Sequence, residues 1–198
     1  MPHVSAAERR PQLVEAAIDL MAREGVAAGS TRAVAAELGV AQATVHYTFG
    51  SKQELYRAVL EELTRALVEQ VAAATPAEAG FEETFDAVVE ALWHTVQAQP
   101  RRYLLLMELH THALRDPYLR EVVVGYVRGL DELASQLVAD AGARTGQHLA
   151  QPPLTVARFF LSAFDGIVLR FLTDDDAESA ATALRRLRQA ALALATSP

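Results

Sequence analysis

TRAVAAELGVAQATVHYT, residues 31–48, is the stretch whose spacing decides how the rest of the chain is read. Val34 and Leu38 fall on one face of a first short helix, with Ala35 beside them small enough to let a second helix approach closely. Thr31 is placed to cap that helix through its hydroxyl. Gly39 follows where the chain must turn, and a positive φ costs least at a residue without a Cβ. Val40 and Val45 then complete an apolar wedge. Gln42, Ala43, Thr44, His46 and Tyr47 are left to face outward. This is the spacing of a helix-turn-helix, whose second helix enters the major groove of DNA. A plain helical hairpin would share the apolar pattern, so the flanking residues have to discriminate.

They read Phe49-Gly50-Ser51-Lys52-Gln53-Glu54-Leu55. Ser51 can cap a following helix, and Lys52 then stands in its first turn, where a cation opposes the helix dipole. Helix stability alone would prefer an acid there. A phosphate, met by Lys52 and the free amides of the helix start, gives that lysine a reason. Phe49 and Leu55 read as core, because large apolar residues at helical spacing pack inside. Arg9 and Arg10, near the start of the chain, read as a solvated pair or as an arm for the minor groove.

Leu13 to Leu55 resembles the N-terminal domain of the TetR family of bacterial repressors. The matching positions are Ala16, Leu20, Gly25, Thr31, Ala35, Gly39, Val40, Val45, Tyr47, Phe49, Ser51, Lys52 and Leu55. The resemblance implies phosphate contacts from Thr31, Tyr47 and Lys52. Gln42 and Thr44 become candidates for base edges, with Gln42 favouring adenine through N6 and N7. The DNA-contact set implied is Thr31, Arg32, Gln42, Ala43, Thr44, His46, Tyr47 and Lys52. Three positions depart from the family pattern: His46 stands where tyrosine is usual, Thr48 where tyrosine or histidine is usual, and Ala43 where glycine is common.

Outward from this segment, apolar residues recur at steps of three and four almost everywhere, and no stretch alternates as a half-buried strand would. The fold class expected is all-α. Helices are placed at about 5–24, 31–38, 42–48, 52–75, 81–98, 101–113, 117–144, 152–173 and 177–195. Glycines and prolines punctuate the gaps, among them Gly25, Gly39, Gly50, Pro76 with Gly80, Pro100, Pro117 and Pro152-Pro153. The first three helices form a helix-turn-helix domain over 1–50. A long fourth helix joins it to a ligand-binding and dimerisation bundle over 51–198.

The 198 residues carry 18 Lys and Arg against 25 Asp and Glu, a net charge of −7, which taken alone disfavours nucleic acid. Most of that acidity lies beyond residue 65. The N-terminal part is close to neutral rather than basic, so DNA binding rests on geometry and a few placed donors. No stretch of about 18 uninterrupted apolar residues occurs, and the opening MPHVSAAERRPQ has neither the basic flank nor the apolar run of a signal peptide. The expectation is a cytoplasmic protein with no membrane partner. Without cysteine there are no disulfides, thiolate metal sites or thiol nucleophiles. The motifs of serine hydrolases, phosphate-binding loops and zinc peptidases are missing, which disfavours an enzyme, and no cofactor is implied.

In the last helix, Ala180, Leu184, Leu187, Ala191 and Leu194 form an apolar seam suited to a partner helix. The helix before it is apolar nearly all round, with Phe159, Phe160, Phe164, Val168 and Phe171. A homodimer through these two helices is expected, with Phe159, Leu184, Leu187, Ala191 and Leu194 at the interface. Two heads would then bind half-sites of a palindromic operator in double-stranded DNA.

A pocket for a small apolar or aromatic effector is expected among the middle helices. Its candidate lining is Trp93, His94, Gln97, Tyr103, Met107, His110, Tyr126, Phe160, Phe164 and Asp165. Glu108, His110 and His112 lack the helical spacing of a metal site. Asp174, Asp175 and Asp176 read as a cap for the last helix. The competing reading is a helical protein-interaction module that keeps this architecture without specific DNA binding.

Overall fold

The computed structural model describes residues 6–76 and 78–197, and the expected helix start at residue 5 lies outside them. Nine α-helices and one 3₁₀ turn make up the described residues, with no strand among them. They are α1 (Ala6–Glu24), the 3₁₀ turn (Val26–Ala28), α2 (Thr31–Glu37), α3 (Gln42–Phe49), α4 (Lys52–Ala74), α5 (Phe81–Ala98), α6 (Pro100–Ala113), α7 (Pro117–Thr145), α8 (Pro153–Asp174) and α9 (Ala177–Thr196). None is long and apolar enough to cross a membrane.

The chain forms two compact units. Residues 6–66 with 99–124 make the first, and 67–76, 78–98 and 125–197 the second, so α4 and α7 each contribute to both. In the first unit α1 packs against the 3₁₀ turn, α2, α3 and α6. Its core is Leu13, Ile18 and Met21 of α1, Val34 of α2, Val45 of α3, Leu55 and Val59 of α4 and Leu105 of α6, all buried. Arg102 of α6 reaches back to Glu15 and Asp19 of α1, an exposed pairing worth little on its own.

Capping follows the sequence with one correction. Ser30, not Thr31, caps α2: its hydroxyl accepts from the Ala33 amide at 3.1 Å, and Thr31 is the first helical residue. Ser30 has the extended backbone an N-cap needs, which moves the cap one residue upstream. Ser51 caps α4 as expected, accepting from the Glu54 amide at 3.1 Å. Of the aspartate triplet, Asp176 caps α9 by accepting from the Ser179 amide at 2.9 Å. Those bonds from Ser179 hold its carboxyl below the ordinary carboxylate range. Asp175 closes α8 in the left-handed conformation.

In the second unit α9 packs against α8 and α5. The seam expected to face a partner helix thus has helices of its own chain against it. Leu184, Leu187 and Ala191 are buried within the single chain, and Leu194 is half-buried beside a fully buried Ala195. A seam of period 3.5 shows only that a helix has a helix to face, and here α8 and α5 supply it. What remains exposed is the other side of α8, where Phe159 and Leu169 stay 41% and 54% accessible.

Leu187→Ala is therefore expected to destabilise the fold of each chain by about 2–5 kcal/mol, the usual cost of emptying a buried leucine site. Urea denaturation at several protein concentrations checks this, with the loss expected to be independent of concentration.

Candidate functional site

The turn between α2 and α3 is closed by the Val40 amide donating to the Ala35 carbonyl at 2.9 Å. Gly39 sits inside it at φ +68°, where a side chain would be strained. Val45 and Phe49 are buried, so the 100° step of the helix turns Ala43, His46 and Tyr47 out to solvent, while Gln42, on the buried pair's side, is exposed at the first residue of the helix. Tyr47 is 85% exposed, a large ring standing in water with no fold-stabilising burial. Thr44 is only half-buried, less outward than its neighbours.

Two of the expected contact residues meet at the helix starts. The Gln42 side-chain amide donates to the Thr31 hydroxyl at 3.3 Å, joining the first residue of α3 to the first of α2. Arg32 is exposed beside them. Thr48, by contrast, turns its hydroxyl inward to the Thr44 carbonyl at 2.8 Å, so the departure from an aromatic residue there leaves no outward donor. Lys52 is exposed with its ammonium 4.9 Å from the centre of the Tyr56 ring, which offsets its unfavourable place at a helix start. Arg10 lies 5.5 Å above the Phe49 ring, so this arginine covers the end of α3. Arg9 bonds Gln12 within α1.

What holds this head in place comes from residues the sequence reading did not single out for it. Both backbone groups of Val26, next to the glycine that ends α1, are taken by side chains from other helices. Its amide donates to Glu108 of α6 at 3.1 Å, and its carbonyl accepts from the buried Tyr56 hydroxyl of α4 at 2.6 Å. The His112 ring of α6 packs edge-on against Tyr56 at 5.6 Å. Glu108 and His112, weighed as metal-type residues, thus have structural work. At the start of α4, Arg57 and then Tyr118 hydrogen-bond to Glu54 and hold its carboxyl below the usual range.

The second unit contains a small apolar cavity, partly open to solvent, lined by Thr84, Phe85 and Val88 of α5, Ala134, Leu137 and Val138 of α7, and Val156, Ala157 and Phe160 of α8. Phe85 and Phe160 meet edge to face at 6.4 Å, and Phe164 stacks behind Phe160 at 6.1 Å. Of the ten residues expected to line a pocket, only Phe160 lines this one.

Trp93, His94 and Gln97 face a separate open trough along α5, beside Glu83, Asp86 and Glu90. The Trp93 ring meets Phe171 edge-on at 4.8 Å. Asp165 lies on the exposed stripe of α8, because one helical step from the buried Phe164 carries it to another face. Tyr126 is half-buried on α7. Tyr103 is buried, and Met107 and His110 half-buried, on α6 in the first unit. The cavity walls are ordinary apolar helix positions, which no sequence signal separates from plain core.

A family model described as bacterial regulatory proteins, tetR family, matches residues 13–59, and one described as tetracyclin repressor-like, C-terminal domain, matches residues 79–190. The chain is 28% identical over 171 residues to the nicotine-responsive transcriptional repressor HdnoR of Paenarthrobacter nicotinovorans, covering 86% of this chain and 87% of that protein. It is 28% identical over 193 residues to the transcriptional regulator BetI of Agrobacterium fabrum, covering 96% and 82%. Among solved structures it resembles the multidrug binding protein EbrR complexed with ethidium, with 31% identity, a TM-score of 0.69 and coverage of 91% and 98%.

If Glu108 holds the Val26 amide, Glu108→Ala is expected to speed hydrogen exchange at that amide by tenfold or more, with α8 and α9 unchanged. Exchange followed by NMR reads this directly.

Proposed function

The chain belongs to the tetR family of bacterial regulatory proteins, which are helix-turn-helix transcriptional regulators rather than enzymes, and from that premise we propose a ligand-released repressor. Two copies bind a palindromic operator, and a small apolar or aromatic effector in the second unit lowers their affinity for it. The observation that carries the reading is the outward face of α3. Val45 and Phe49 anchor the helix, while Ala43, His46 and the 85% exposed Tyr47 face solvent and Gln42 is exposed at the helix start beside Thr31.

On this reading Gln42 and Thr44 read base edges. Thr31, Arg32, Tyr47 and Lys52 meet phosphates and fix the register. Lys52 leaves the Tyr56 ring to do so. Residues 1–50 act as the DNA-binding segment and 51–198 as the effector and dimer segment. Because α4 runs through both units, a shift of its C-terminal part is felt at the head, and an effector that favours wrongly spaced heads releases the DNA.

The near-neutral head binds weakly alone, so a dimer supplies affinity by engaging two half-sites about 34 Å or a multiple apart. The exposed stripe of α8, with Phe159 and Leu169, is the surface for the second copy. A nicotine-responsive repressor and a multidrug binding protein that holds ethidium, both similar to this chain, support a small aromatic effector.

Gel shifts on the protein's own promoter DNA test this. Wild type should lose affinity steeply with salt, Lys52→Ala should reduce the slope of log K against log salt by about one, and Gln42→Ala should cost about 1–3 kcal/mol and relax the preference at one base position. Equal competition by random duplex would favour the interaction-module reading instead. Leu169→Arg is expected to shift the protein from dimer to monomer in sedimentation velocity and to weaken operator binding in parallel.

A further inference from the structure

The hydroxyl of Thr31 is not needed to cap α2. Ser30 does that, accepting from the Ala33 amide at 3.1 Å. Thr31 accepts instead from the side-chain amide of Gln42, Nε2 to Oγ1, at 3.3 Å. The two residues are the first of α2 and the first of α3, so the bond ties together the starts of both helices of the helix-turn-helix. Gln42 is exposed there and Thr31 half-buried, within reach of a duplex laid against α3.

Gln42 needs such a partner. It lies on the side of α3 that carries the buried Val45 and Phe49, so the helical step does not aim it outward as it aims Ala43, His46 and Tyr47. The planar end of a glutamine presents either its oxygen or its nitrogen to a given point by a half-turn. With one N–H given to Thr31, the nitrogen end is held toward α2, and a second N–H and the carbonyl oxygen are left. That pair is the donor and acceptor fork which adenine complements with N7 and N6. Guanine shows two acceptors, N7 and O6, and sets O6 against the glutamine oxygen. An untied glutamine escapes that clash by turning its NH₂ group to guanine. A hydroxyl that accepts from Gln42 keeps its own proton to donate, so Thr31 can hold a phosphate and the glutamine together.

We propose that Thr31 is a positioning residue for base recognition, whose hydroxyl fixes the Gln42 amide in the orientation that selects adenine over guanine. This role rests on the DNA-binding reading above, in which Thr31 only meets a phosphate, and makes the same residue a determinant of specificity. Base choice at Gln42 is thereby joined to the backbone contact beside it.

The probe is a library of random-sequence duplexes, selected by the purified full chain and sequenced in the bound fraction. Gln42→Ala identifies the position that Gln42 reads, as the one whose adenine preference it removes. At that position wild type should favour adenine over guanine by about tenfold, the order expected of a bidentate contact. Thr31→Val, which keeps the side-chain shape and loses the hydroxyl, should reduce this to about threefold or less, with the other positions keeping their preferences. Thr31→Ala removes the same hydroxyl and suits a helix better, so it should do likewise and the test does not hang on the folding of one variant. Thr31→Ser should restore the preference. Overall affinity falls when the phosphate contact goes, but a phosphate contact alone carries no base preference. A loss uniform across all sequences with the adenine preference intact, or no restoration by Thr31→Ser, overturns the proposal. So does a Gln42→Ala protein with the same preferences as wild type, although a palindromic selected site then leaves the repressor reading standing. Selection of no sequence by wild type removes both.

Discussion

Val45 can be buried only if Ala43, His46 and Tyr47 are not. An eight-residue helix with two anchoring residues on one side has no other way to satisfy its 100° step, and Val45 with Phe49 fixes which side that is. The rest of the first unit serves this constraint. α1 and α2 supply the wall against which α3 leans, Gly39 lets the chain reverse in four residues, and the capped start of α4 leads it away again. A functional surface results from the burial of its opposite face, with no strongly basic patch needed to define it.

The head is not held by apolar packing alone. Val26 has its amide on Glu108 and its carbonyl on Tyr56, so the turn after α1 is tied at both backbone groups to α6 and α4. Backbone groups in such a place must find partners or cost free energy, and here the partners come from elements far along the chain. Any change in the register of α6 or α4 must break one of these bonds or move the turn with it. In this way the position of α1 and α2 is coupled to helices outside the DNA-binding segment.

Much of this was legible in the residues. The element boundaries follow from periodicity and from glycine, proline and hydroxyl punctuation, so the nine helices come out within a residue or two of their places. The outward face of α3 follows from Val40 and Val45, and the capping role of Ser51 from its spacing to Glu54. Three things did not follow. Periodicity identified the seam of α9 but not its partner, and α8 and α5 within the same chain claimed it. The cavity walls are Ala, Val, Leu, Phe and one Thr at helix-face positions, indistinguishable from core until the helices are assembled. Glu108 and Val26 are 82 residues apart, and nothing local announces their bond.

The formal charge of −7 and a head near neutrality place a demand on the DNA-binding account, because counterion release from one such head is small. Joint engagement of two heads meets that demand. Hydroxyl-radical footprinting of the protein on its own promoter DNA tests this most directly. The account predicts two protected patches related by a twofold axis, with centres about one helical turn or a multiple apart. A single protected patch, or protection no different from that on random duplex, would contradict it.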